Sequence, residues 1–90
     1  MVAFTQGKLD KIEDLFKDQG YKVRYEKGSF KTGACMLQNL HVIVVNKFSN
    51  LEVKIQSLIT ILNEIEVDRS LMNEKHFPLY EQILKLKSLV

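Results

Sequence analysis

The chain has 90 residues, of which 46% are hydrophobic and 27% charged, and a formal net charge of +2. That length holds one domain over residues 1–90 with a single core. The composition excludes a disordered or low-complexity chain, and so small a net charge does not by itself require a polyanionic partner. Cys35 is the single cysteine, so no internal disulfide can form and a reducing, cytoplasmic setting is expected. Met1–Lys11 lacks the continuous apolar segment of a signal peptide. The longest unbroken apolar run, Val42–Val45, is far too short to span a membrane.

The first element is a helix over about Gln6–Gln19. Thr5 supplies an N-cap, Leu9, Ile12, Leu15 and Phe16 recur on one face, and Gly20 stands where a residue with positive φ ends a helix. Glu13 and Lys17 are four apart on the solvent side. Tyr21–Glu26 then alternates strictly, with Tyr21, Val23 and Tyr25 on one side and Lys22, Arg24 and Glu26 on the other, which is a strand with one buried and one wet face. Gly28 and Ser29 open a loop that lasts to Thr32.

Two further strands, Gly33–Gln38 and His41–Asn46, form a hairpin with its turn near Asn39–Leu40. This turn sets Cys35 opposite Val44 and Leu37 opposite Val42, leaving Ala34, Met36, Ile43 and Val45 on the other face. Both faces are apolar, so the hairpin is expected to be covered on both sides, the second by the C-terminal segment or by another subunit. Asn50 caps the main helix, about Asn50–Glu66, whose Leu51, Ile55, Leu58, Ile59, Ile61, Leu62 and Ile65 form a wide apolar stripe. Over Val67–His76 two readings stay open: a short helix through Arg69–Glu74 capped by Asp68, or a loop. Pro78 suits the first position of a last helix, with Tyr80, Ile83, Leu84, Leu86 and Val90 as its stripe and Glu81 and Lys85 as an i,i+4 pair. The order is α-β-β-β-α-α. The expected fold is α+β, a three-stranded, mainly antiparallel sheet packed by helices, with a meander as its simplest topology.

The chemistry-bearing residues are few. Cys35, His41 and His76 lack metal-ligand spacing, and the hairpin register turns Cys35 and His41 to opposite faces. Cys35 sits among apolar strand residues and reads as a buried, inert thiol. Ser29, Ser49, Ser57, Ser70 and Ser88 lie in no nucleophile motif. Glu64 and Glu66, two apart on a helix, do not face one another. Gly28 and Gly33 are too far apart for a phosphate loop. No catalytic residue, metal site or cofactor is expected.

Lys22, Arg24, Lys27 and Lys31 cluster around the first strand with Tyr21, Tyr25 and Phe30 interleaved, an arrangement that suits single-stranded nucleic acid. The alternation, however, sends the tyrosines and the cations to opposite faces, so a solvated, basic edge strand is the plainer reading.

From Val42–Asn46 onward the pattern is an apolar strand ending in Asn, a short link and an amphipathic helix. It resembles the core of the small zinc-dependent metallopeptidases that cleave phage repressors and related bacterial regulators. That family continues with a helical Leu-Ala-His-Glu-Leu-Gly-His, where this chain has Leu58-Ile59-Thr60-Ile61-Leu62-Asn63-Glu64. Thr60 and Glu64 stand at the positions of the two histidines and Ile61 at that of the general base. The resemblance covers about a third of the chain and implies a scaffold without zinc chemistry, which needs two histidines on one helix face. The whole chain also resembles short cytoplasmic proteins of bacteria. Surplus apolar surface on so small a chain points to a non-enzymatic structural or interaction module that forms a homo-oligomer.

Overall fold

A strand with apolar residues on both faces belongs in the middle of a sheet, and Val42–Val45 sits there. The computed structural model describes residues 5–88, with side-chain burial through Lys85. Its elements are α1 (Gln6–Asp18), β1 (Lys22–Glu26), β2 (Gly33–Leu37), β3 (Leu40–Asn46), α2 (Leu51–Glu64) and α3 (Phe77–Ser88). This is the expected α-β-β-β-α-α order.

The strands are ordered β1-β3-β2 in space. β3 pairs antiparallel with β2 and parallel with β1. The sheet is therefore mixed, and the expected meander is corrected: β3, not β2, is central. The reason is burial. Ile43 and Val45 are fully buried on one face and Val42 is buried on the other, which requires neighbours on both edges.

The hairpin turn also differs from expectation. Gln38 and Asn39 take positive φ values of 50° and 67°, as a two-residue hairpin turn needs at both central positions. Cys35 then lies opposite Val42, Leu37 opposite Leu40 and Gly33 opposite Val44. This shifts the expected register by two residues, so every side chain keeps its predicted face. Asn tolerates the left-handed region, whereas Leu40 there would be strained.

All three helices lie on one side of the sheet. Leu15 and Phe16 of α1, Ile55 and Leu58 of α2, and Leu79 and Ile83 of α3 join Ile43 and Val45 in a single apolar cluster. Each fully buried Leu or Ile contributes about 1.5–3 kcal/mol. The helix ends are set locally. The Thr5 hydroxyl accepts from the Lys8 N–H at 3.2 Å and the Asn50 carbonyl from the Val53 N–H at 2.8 Å. Gly20 has φ +85° just beyond α1. α2 stops at Glu64, two residues earlier than predicted, because Ile65 is already extended. Leu79 belongs to the α3 core in addition to the predicted Tyr80, Ile83 and Leu84. The side chains of Leu86 and Val90 lie outside the described part of the chain. Glu13 accepts from the Tyr25 hydroxyl at 2.9 Å, while Lys17 reaches Asp14 at 3.9 Å. Glu81 accepts from Arg69 at 2.8 Å.

Residues 67–76 are neither a continuous helix nor a plain loop. They form two short 3-10 turns, Arg69–Leu71 and Glu74–His76, capped by Asp68 and Asn73. Two adjacent side chains at the end of α1 hold this segment. The Gln19 amide donates to the Asp68 carbonyl at 2.9 Å and accepts from the Asp68 N–H at 2.8 Å. Asp18 accepts from the Asn73 N–H at 2.9 Å and meets His76 Nδ1 at 2.7 Å.

Because β3 lies between β1 and β2, the link from β1 to β2 must cross the end of β3, a span of about two strand spacings, roughly 10 Å. Asn46, the last residue of β3, fastens the crossing. Its side-chain N–H groups donate to the carbonyls of Gly28 at 3.0 Å and Phe30 at 2.6 Å, and its side-chain oxygen accepts from the Phe48 N–H at 3.0 Å. Its backbone N–H donates to the Thr32 hydroxyl at 3.0 Å. Gly28 takes φ +156°, which residues with a side chain rarely adopt, and a Cβ there would stand 3.0 Å from the Phe30 ring. Asn46→Ala removes three side-chain hydrogen bonds and is expected to lower the unfolding free energy by about 2–3 kcal/mol. Urea denaturation checks this, with the neighbouring exposed Lys47→Ala expected to change it by under about 0.5 kcal/mol.

Candidate functional site

Residues opposite one another in a sheet share a face, and successive residues alternate. One face therefore carries Val23, Tyr25, Ala34, Met36, His41, Ile43 and Val45, and the other Lys22, Arg24, Cys35, Leu37, Leu40, Val42 and Val44. The helices cover the first face, and α3 packs there with the others. The expectation that the C-terminal segment covers the second face is thus corrected: among the described residues no helix lies on it.

The consequence falls on the β2–β3 hairpin. Met36, Leu37 and Leu40 are 58%, 46% and 47% exposed, and Ala34 and Cys35 are exposed as well. Cys35 is not the buried thiol expected from its neighbours. Its strand is an edge, and its side chain faces the uncovered side. Two concavities flank the hairpin. On the open face, Lys22, Arg24, Leu37, Gln38, Leu40 and Val42 line a depression of about 520 Å3. On the helix side, a groove of about 520 Å3 runs between β2 and α2, with Gly33, Ala34, Val53, Ser57, Thr60 and Ile61 among its walls.

The two sheet edges differ in chemistry. β1 presents Lys22, Arg24 and Glu26, with Arg24 and Glu26 paired at 2.7 Å. Charged side chains on an edge discourage further strand pairing. β2, Gly33-Ala34-Cys35-Met36-Leu37, carries no charge, no proline and no bulge.

The predicted site residues are dispersed. Lys22 and Arg24 share the open face, while Lys27 and Lys31 are exposed in the crossing loop. Tyr21 and Tyr25 lie on the helix side, as the alternation predicts. Tyr21 packs edge-on against Phe16 at 5.8 Å and against His41 at 4.9 Å. Tyr25 packs under Lys54, and burial together with the Glu13 carboxylate pushes its hydroxyl pKa up. Cys35 and His41 point to opposite faces, also as predicted, and His76 is engaged by Asp18. Among the described residues no three His, Cys, Asp or Glu side chains converge, and no helix is long and apolar enough to cross a membrane. Thr60 and Glu64, the positions that the metallopeptidase resemblance aligns with histidines, both line the groove beside β2, as does Ile61. The Thr60 hydroxyl donates to the Gln56 carbonyl within its own helix at 3.0 Å.

Sequence reasoning missed the Asp18–His76 pair because 58 residues separate its members. It also missed the unguarded edge, although the absence of charge over Gly33–Leu37 was visible. Compared with known proteins, the chain matches no family model, no curated protein and no solved structure.

The Asp18–His76 pair is a structural staple, and its acid dependence is testable. Burial raises the Asp18 pKa, but the Asn73 N–H and His76 outweigh it and hold the carboxyl below its ordinary value. A depressed carboxyl pKa stabilises the folded state above the unfolded value of about 3.9 and ceases to do so as pH falls through the folded pKa. Thermal melts should therefore show Tm falling below about pH 4, with a shallower fall in Asp18→Asn. At neutral pH Asp18→Ala leaves His76 and the Asn73 N–H without their acceptor and should cost about 1–3 kcal/mol.

Proposed function

We propose that this protein is a non-enzymatic structural or interaction module that works as a homo-oligomer, with the β2–β3 hairpin as its contact surface. The observation that carries this reading is that the hairpin leaves apolar side chains exposed on both of its faces, Leu37 and Leu40 on the open side and Met36 on the helix side. Exposed apolar side chains grouped on one short element mark an interface more often than bare solvent contact. The floor beneath it is already built: Val42 is buried between neighbouring side chains, and Val44 is half-buried beside it. A degenerate metallopeptidase-like scaffold without catalysis is compatible with this role, since the groove holding Thr60 and Glu64 borders the same hairpin. A reducing cytoplasm suits a module whose cysteine is exposed. Single-stranded nucleic-acid binding through Lys22, Arg24, Lys27 and Lys31 has less behind it, because Lys22 and Arg24 lie on the opposite side of β1 from the tyrosines and Lys27 and Lys31 are in the crossing loop, so Tyr21 and Tyr25 form no stacking platform beside Lys22 and Arg24.

Light scattering over the micromolar range tests the reading. The expected mass is that of two or more chains, falling to one chain in Leu37→Glu/Leu40→Glu. A single chain at the top of the range would reject it, and salt-sensitive retention on single-stranded RNA or DNA, lost when the four cations become Ala, would favour the alternative instead.

A further inference from the structure

The hairpin register shows which backbone groups β2 still offers. Leu37 and Leu40 flank the two-residue turn, and in such a hairpin the flanking residues form a hydrogen-bonded pair. Bonded pairs then alternate along the ladder, so Cys35 with Val42 and Gly33 with Val44 are also bonded. The N–H and C=O groups of Gly33, Cys35 and Leu37 thus face β3. Those of Ala34 and Met36 face outward from the edge.

We propose that β2 pairs antiparallel with β2 of a second copy about a two-fold axis at Cys35, each Met36 entering the other copy's groove beside Ala34. This rests on the self-association reading above and specifies its geometry. Three features fit a copy of the same chain. Centring the axis on Cys35 overlaps all five residues of β2, with Gly33 opposite Leu37 and Ala34 opposite Met36 across the contact. The four outward groups at Ala34 and Met36 of each copy then meet their complements, giving four backbone hydrogen bonds.

The side chains match as well. Ala34 is small and borders the groove whose far wall is Val53, Ser57, Thr60 and Ile61. Met36, 58% exposed on that same side of the sheet, is the residue that the two-fold sets opposite Ala34. Val53, itself 44% exposed on the groove wall, would be covered by it. An isologous contact makes each such fit twice.

Charge and area agree. A two-fold axis sets the central residue of a strand against itself. At β1 this would place Arg24 against Arg24, a destabilising like-charge pair; at β2 it places neutral Cys35 against Cys35. A stable dimer takes about 800 Å2 from each partner. A five-residue strand edge is small beside that, so a stable contact requires the groove between β2 and α2 to be filled as well.

The register makes a sharp test. Cys35 occupies a non-hydrogen-bonded pair across the axis, where Cα atoms are about 4.5 Å apart, inside the range of about 4.4–6.8 Å that a disulfide spans. Diamide treatment of the full chain at low micromolar concentration, followed on non-reducing gels, should give rapid and near-complete dimer. Light scattering of Cys35→Ser should still show two chains, because the bond reports the contact and does not create it. A34K/M36K places like charges opposite one another twice and should slow cross-linking by at least about fivefold. A34K/M36E and the reversed A34E/M36K place opposite charges there and should restore the wild-type rate. Ala34 and Met36 are exposed, so each variant should fold, which circular dichroism checks. Equal cross-linking rates in the like-charge and opposite-charge variants, or self-association without cross-linking, would overturn this pairing while leaving the homo-oligomer standing. A single chain in Cys35→Ser and wild type alike would overturn both.

Discussion

The constraint on which the rest depends is that β3 is apolar on both faces and must therefore be central. Ile43 and Val45 are sealed by the helices, Val42 by its neighbours on the open side. A central strand needs a partner on each edge, and the chain provides them from one direction only: β1 and β2 both precede β3. Since the hairpin claims one edge, β1 must take the other. Only six residues, 27–32, link β1 to β2, too few to run back along the sheet, so β1 ends beside the start of β2 and runs parallel to β3. The crossing loop follows from that topology, and so does the position of Asn46. A side chain with both donors and an acceptor, at the end of the strand being crossed, can bind two loop carbonyls and the next turn together.

The second organising feature is the end of α1. Asp18 and Gln19 are consecutive, yet they reach points five residues apart in the later segment, Asp68 and Asn73. Each engages backbone that the short 3-10 turns leave without regular partners. Residues 67–76 contribute Met72 and His76 to the buried set and deliver α3 to the same side of the sheet as α1 and α2. The result is a two-layer arrangement, helices on one side and open sheet on the other. In this seam the buried His76 is partnered by the half-buried Asp18, as a polar group removed from water must be.

Placing three helices on one face leaves the hairpin poorly covered. Its edge is the neutral one. The opposite edge carries lysine, arginine and glutamate, and the contrast between them is a property of a few side chains rather than of the fold. Beside β2 a groove runs against α2. In this chain its wall bears Thr60, Ile61 and Glu64. These present a threonine hydroxyl, a largely buried isoleucine and a carboxylate to whatever enters.

Much of the architecture was legible in local chemistry. The apolar period of Leu9–Phe16 and Leu51–Ile65, the caps at Thr5 and Asn50, and the strict alternation of Tyr21–Glu26 are set within a few residues, so they can be read without knowing the fold. So could the face of each hairpin residue, because a register shift of two preserves it. Strand order, the exposure of Cys35, the Asp18–His76 pair and the uncovered face could not. They depend on which elements compete for the sides of β3, and an apolar run looks alike whether its neighbours cover it or leave it bare. The sequence by itself determined the elements, their order and the side each residue faces. Only the tertiary structure decided that β3 is central, which leaves β2 at an edge, and that the helices take one side, which leaves its cysteine in the open.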